Sequence, residues 1–328
     1  MVGTFKANIP YNNFLLFVYG FVLYLPMFLH PIAPIKAETD VVFYLFMINT
    51  LSFAAKSFPL LFSIVSFILI FIQALMLNML VNNQRLQTRP SYLTGMCYLL
   101  FTAVFTKWYG LSASLIASTF LIWILTKLCY LQNNPHPKTS LYNIGLLMGV
   151  TTFFYFPSIA FIFLVLMGIT ITRPFRFSEW IIAFAGIITP YYFFFSYNFL
   201  LDKKQPDFSK LFDSGLPSFF KTGSEYAALT IIVIVVLLGI YWVQDNMRRL
   251  LVQSRNTWAI IYIFMLISLV VPFLNRPEGL SNWRFSIIPF SCFASAFFLF
   301  PLKKWVSLVA HWALVLLAFW MGYIYITH

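Results

Sequence analysis

Eleven apolar runs, each of about 15 to 25 residues, follow one another along this 328-residue chain with short polar connections between them. About 20 apolar residues carry a helix across the hydrocarbon core of a bilayer. The pattern therefore predicts an all-α fold: a polytopic transmembrane helix bundle of about eleven spans, within a range of nine to twelve, and no soluble domain. The runs lie near 14–29, 58–82, 92–107, 110–131, 141–155, 158–172, 180–200, 226–243, 257–274, 285–300 and 304–326. Only 9% of the residues are charged, against about 25% in a soluble domain, so most of the surface is expected to face lipid. The first run follows a single cation, Lys6, with no clean small-x-small cleavage site after it. It reads as an uncleaved first helix.

Basic residues set the expected orientation. With the N-terminus inside, the inner connections hold Lys6, Arg85, Arg89, Lys127, Lys138, Arg173, Arg176, Arg248, Arg249, Arg255, Lys303 and Lys304. That is twelve of the 21 cations, and four of the outer nine fall in one longer loop, so the bias predicts N-in and C-out. The net charge of +12 is accounted for in the same way, and no nucleic acid is implied. Two segments could break the parity. Residues 41–55 are apolar but too short to cross comfortably, and they read as an interfacial or re-entrant helix. Residues 141–171 would make one helix of about 46 Å, and Pro157 offers the break that turns it into a short hairpin. The chain is thus expected to be one integral membrane domain over 1–328, with short interfacial helices in the outer loops 30–57 and 201–225.

Chemistry-bearing residues are few. Seven of the nine carboxylates fall on the outer side under this topology, and two of these, Glu38 and Asp40, stand two positions apart after the first span. They face together only where the chain is extended or turning, which Pro34 upstream favours. Such a pair can hold a divalent cation between its oxygens, or one member can serve as general base on a hydroxyl. Equally, acids in a solvated loop need no special role. A divalent cation is the only cofactor this suggests. In the outer loop 275–284, Arg284 is expected where outer water meets the next span, where a guanidinium can bind a lipid phosphate bidentately or simply anchor at the interface. Arg276 in the same loop, with Lys203 and Lys204 in loop 201–225, completes the candidate substrate-binding set.

Cys97, Cys129 and Cys292 lie in or at the ends of apolar runs without metal-type spacing, and read as packing residues. His30, His136, His311 and His328 are scattered. His311 is the one ionisable side chain well inside a run, and a lone histidine there is expected to hydrogen-bond a neighbouring helix, as are Gln73 and Asn78. So little intramembrane charge argues against an ion-driven transporter.

Two resemblances bear on this. A cytoplasmic N-terminus, one span, then Glu38-Thr-Asp40 resembles the layout of membrane glycosyltransferases that use polyprenyl-phosphate sugars, and Trp283-Arg284-Phe285 before Pro289 is similar to an Arg-aromatic…Pro element in several of them. That resemblance implies Glu38 or Asp40 as catalytic base, Arg284 on the lipid phosphate, and a polyprenyl-phosphate-linked sugar as partner besides the membrane lipids. The second covers most of the chain. Gln73-Ala-Leu-Met-Leu-Asn78, Phe154-Tyr-Phe-Pro157, Arg173-Pro-Phe-Arg176, Ser178-Glu-Trp180 and Thr189-Pro-Tyr191 resemble a family of functionally uncharacterised inner-membrane proteins of Bacteroidetes. It implies a bacterial inner-membrane location and no reaction. The readings left are a transferase at the outer leaflet, a transporter or lipid flippase, and a non-catalytic subunit of an envelope assembly.

Overall fold

The computed structural model describes residues 2–34, 42–50, 58–202, 223–274, 279–300 and 304–327. Every regular element among them is helical. In chain order the α-helices are α1 Val2–Phe5, α2 Tyr11–Leu23, α3 Leu25–Leu29, α4 Val42–Thr50, α5 Pro59–Asn83, α6 Leu93–Val104 and α7 Ala113–Tyr130, then α8 Pro137–Phe154, α9 Ile162–Thr172, α10 Phe177–Leu200, α11 Gly223–Asn246, α12 Val252–Val270, α13 Ile287–Leu299 and α14 Lys304–Thr327. Six helical stretches are long and apolar enough to cross a membrane: Pro59–Asn83, Ala113–Tyr130, Phe177–Leu200, Gly223–Arg249, Val252–Phe273 and Trp305–Thr327. The protein is an integral membrane protein.

Proline punctuates the helices as local chemistry dictates. Pro59 and Pro137 occupy the first helical position of α5 and α8, where the missing N–H costs no hydrogen bond. Pro26 sits in the first turn of α3, after a break at Tyr24. Between α8 and α9, Tyr155 turns extended and Pro157 enters a 3-10 turn, Phe156–Phe161. The long 141–171 run is therefore broken where the proline predicts, and Arg173 Nη1 donates to the carbonyl of Asn134 at 3.2 Å, bringing the far ends of both arms together. Helix α4 has nine residues, about 14 Å of rise, and is too short to cross as a helix. It lies on α8, with Phe43 against Phe153 at 5.2 Å.

Two short helices occupy the centre. All 12 residues of α6 are buried, as are 11 of the 13 in α13. At about 18 and 20 Å neither reaches across roughly 30 Å of hydrocarbon. Their free backbone ends are tolerated because protein covers them: α6 packs on α2, α5, α13 and α14, and α13 on α6, α11 and α12. The three cysteines are buried in this interior.

Helices α8 and α10 pack backbone to backbone. A Cβ on Gly145 would overlap the carbonyl of Ala183, and one on Gly186 would overlap that of Tyr142. Gly145 and Gly149 form the small-xxx-small spacing that lets two membrane helices approach backbone to backbone.

Hydrogen bonds sort the connections into two ends of the bundle. At one, Tyr92 N donates to Phe5 O at 2.8 Å, Ser254 to Gln84 O at 2.9 Å and Asn256 to Gln132 at 3.2 Å. At the other, Tyr44 reaches Leu111 O at 3.0 Å, Lys107 pairs with Glu225 at 2.8 Å and Tyr325 donates to His30 O at 2.9 Å. These are called here the Arg85 end and the Arg284 end, after the cation each contains.

Candidate functional site

A polar cluster lies at the Arg284 end, where the connections completing the two short central helices meet. After α6, Phe105 is extended, Thr106–Trp108 forms one 3-10 turn, and Gly110 adopts φ +88°, a conformation that suits glycine. Ser112 then caps α7, its hydroxyl accepting from Leu115 N at 3.3 Å. From the other side, the 3-10 segment Gly279–Ser286 leads into α13. Arg284 in that segment clamps the connection. Its Nη1 donates to Ser112 Oγ at 2.8 Å, its Nη2 donates to the carbonyl of Trp108, and the guanidinium lies 5.9 Å over the Trp108 ring.

Arg284 is only 2% exposed, so the sequence-based placement at the water interface is corrected. Van der Waals cover comes from the meeting of segments more than 170 positions apart, which hydropathy along the chain does not report. Taking a cation out of water is costly unless it is paired. Among the described residues, Arg284 forms no ion pair; the two salt bridges are Lys107–Glu225 and Arg173–Glu179. The candidate carboxylates Glu38 and Asp40 lie outside the described residues, as do Arg276, Lys203, Lys204 and most of loop 201–225.

Tyrosines surround this clamp. Tyr24 donates to Thr102 Oγ1 at 2.8 Å, Tyr109 to Ala103 O at 2.8 Å, and Tyr44, four positions after Asp40, to Leu111 O. Burial pushes the Tyr109 hydroxyl well above its ordinary range, with neighbouring Tyr24 adding to the shift, so it stays a donor. Nothing in sequence spacing pointed to Tyr24, Tyr44, Ser112 or the Lys107–Glu225 pair; their partners are distant in the chain.

Deeper in the bundle, Gln73 ties three helices. Its Nε2 donates to Leu115 O at 2.9 Å and Thr119 Oγ1 at 2.6 Å, and its Oε1 accepts from Tyr98 at 2.5 Å. Asn78 accepts from Gly95 N at 3.4 Å. Both amides bond neighbouring helices, as expected. Replacing Gln73 by Leu should cost about 1–2 kcal/mol, seen as a lower melting temperature in detergent; an unchanged melt would show that the network contributes nothing net.

His311 departs from expectation. It is fully buried, yet among the described residues neither ring nitrogen has a hydrogen-bond partner. Its contacts are aromatic: it stacks on Tyr19 at 5.9 Å and meets the edges of Phe298 and Trp312. The reason is its neighbourhood on α2 and α13, which presents rings rather than acceptors. Among the described residues no three His, Cys, Asp or Glu side chains converge as a metal site would require.

No curated protein and no solved structure matches the chain. One family model does, over residues 38–327, which takes in the central helices, the Arg284 clamp and the acidic pair. The chain belongs to that family, DUF6427, a family of unknown function.

Proposed function

We propose that this protein is a transferase of the bacterial inner membrane that uses a polyprenyl-phosphate-linked sugar at the outer face. In this reading the chain crosses eleven times, N-in and C-out, with α6 and α13 completing their crossings through the 3-10 segments Thr106–Trp108 and Gly279–Ser286. The sorting of hydrogen-bonded connections into two ends, with Arg85, Arg173 and Arg255 at one and the Arg284 clamp at the other, supports that parity. Glu38 or Asp40 takes the proton from an acceptor hydroxyl, whose oxygen attacks the anomeric carbon. The bond to the phosphate oxygen breaks, and Arg284 stabilises the charge developing on the departing lipid phosphate.

One observation carries the reading: a buried guanidinium without a carboxylate partner among the described residues, beside the segment that follows the acidic pair. A cation so placed calls for an anion. Because the clamp is closed, the donor would reach Arg284 only when the segments at this end part. The test is a lipid extract of a deletion strain. Accumulated polyprenyl-linked sugar, cleared by the wild-type chain but not by Glu38→Gln with Asp40→Asn, is the expected result. Full complementation by that double variant, or an unchanged lipid profile, would sink the proposal.

A second reading, a lipid transporter or flippase, is favoured by His311. Its unpartnered ring lies behind Tyr19 and Trp312, which line an apolar groove of about 370 Å³ between α2 and α14. Loss of complementation with His311→Ala, together with its retention in the acidic double variant, would select this reading over the first.

A further inference from the structure

The Arg85 end holds a cavity of about 510 Å³ between the α5–α6 connection and the α11–α12 connection. Arg85 lines it from one side and Arg249 from the other, with Thr88, Leu250 and Leu251 also on its wall. Both arginines are exposed, and neither forms an ion pair among the described residues. The two connections and their flanks carry Arg85, Arg89, Arg248, Arg249 and Arg255, against the single acid Asp245. Ordinary positive-inside bias explains the number of these cations. It does not explain a cavity between two of them.

The loop is built to hold its shape. Arg85 adopts φ +49°, a left-handed conformation uncommon for a side chain of this size. It is held there because Ser254 donates to the carbonyls of Gln84 and Arg85 at 2.9 and 3.1 Å, and the Trp258 indole donates to Leu86 O at 3.2 Å. The conformation is the ordinary left-handed end of a helix: Leu86 N donates to Val81 O at 3.0 Å and Arg85 N to Asn82 O at 3.1 Å, closing α5. The Arg85 side chain is therefore delivered to the cavity by a fixed backbone. Opposite it, Arg249 ends a 3-10 turn, Met247–Arg249, and the chain continues at once into exposed Leu251 and Val252. The cavity thus has cations and a hydroxyl on its wall together with Leu250 and Leu251, the latter followed by exposed Val252 at the start of α12.

We infer that this cavity is a binding site for the phosphate headgroup of an anionic glycerophospholipid. Arg85 and Arg249 take the phosphate oxygens, since guanidinium forks match that geometry. Thr88 offers its hydroxyl to the headgroup, and Leu250 and Leu251 receive the first methylenes of the acyl chains. Basic pockets between membrane helices bind lipid headgroups by this combination. A free phosphate carries at least as much negative charge but gains nothing from the leucines. The site is at the opposite end of the bundle from Arg284 and stands independently of any transferase activity.

The test is native mass spectrometry and thermal melting of the purified full chain in detergent, with phosphatidylglycerol, phosphatidylcholine or inorganic phosphate added. Phosphatidylglycerol should be retained and should raise the melting temperature; the other two should not. Arg85→Asn combined with Arg249→Gln should weaken that retention by roughly thirty-fold. Asparagine is chosen at position 85 because it tolerates the left-handed backbone, and the variant's melt without lipid reports whether it is folded. Lys138→Gln, which removes an exposed cation outside the cavity, should retain the lipid as the wild type does. Equal stabilisation by phosphatidylcholine, equal stabilisation by inorganic phosphate, or undiminished retention by the folded double variant would each overturn the assignment.

Discussion

Arg284→Gln is expected to destabilise the fold by about 3 kcal/mol, because two charge-assisted hydrogen bonds disappear and the Trp108 carbonyl is left buried. Those bonds hold the connection between α6 and α7 against the entry to α13, so the loss should loosen both short central helices. Arg284→Lys should recover only part of it, since an ammonium is a point donor and cannot fork to both acceptors. Melting temperatures in detergent for the three chains give the ranking. The sign of one further variant is informative. A buried cation carries a desolvation cost that can exceed its hydrogen bonds. If Arg284→Met melts higher than the wild type, the clamp contributes nothing net to stability, and the uncompensated cation calls for an anion all the more; a large loss would show that Ser112 and Trp108 already satisfy it.

Gly186→Leu should be at least as damaging, at about 3 kcal/mol or more, the upper part of the usual range for overpacking. The obstacle to a side chain at this position is the backbone carbonyl of Tyr142, and a backbone carbonyl cannot rotate aside as a side chain does. The only relief is to push α10 away from α8, which opens their whole interface. Gly186→Ala should show the same effect in smaller measure. Gly3→Ala is the control, since a Cβ there meets nothing within 4 Å and alanine is the better helix former. A Gly186→Leu protein that expresses and melts like the wild type would show that the α8–α10 contact is not a determinant of the fold.

Much of the helical layout was legible in the chain. Each apolar run expected to be a span overlaps a helical stretch, although among the described residues only six of these are long and apolar enough to cross a membrane, and the break at Pro157 follows from a ring that cannot donate and clashes with the preceding turn. Gln73 and Asn78 could be assigned interhelical hydrogen bonds because an amide in an apolar run must find a partner within the bundle. The same logic failed for His311, whose nearest neighbours on other helices are rings. The acidic pair remains a proposal drawn from sequence, while its expected cation, Arg284, proves to be held by Ser112 and Trp108 rather than standing at the water interface.

The sequence by itself determined that this chain is built of apolar helices for a bilayer, because the cost of exposing backbone and charge to hydrocarbon is paid residue by residue and is readable as hydropathy and Lys/Arg bias. Tertiary structure alone decided which helices are central, where two backbones touch at Gly145 and Gly186, and how Arg284 is buried. Those facts depend on packing between segments far apart in the chain: 172 positions separate Arg284 from Ser112 and 176 from Trp108. No local pattern encodes a partner at that range, so the clamp at one end and the arginine-lined cavity at the other become visible only once the helices are in place.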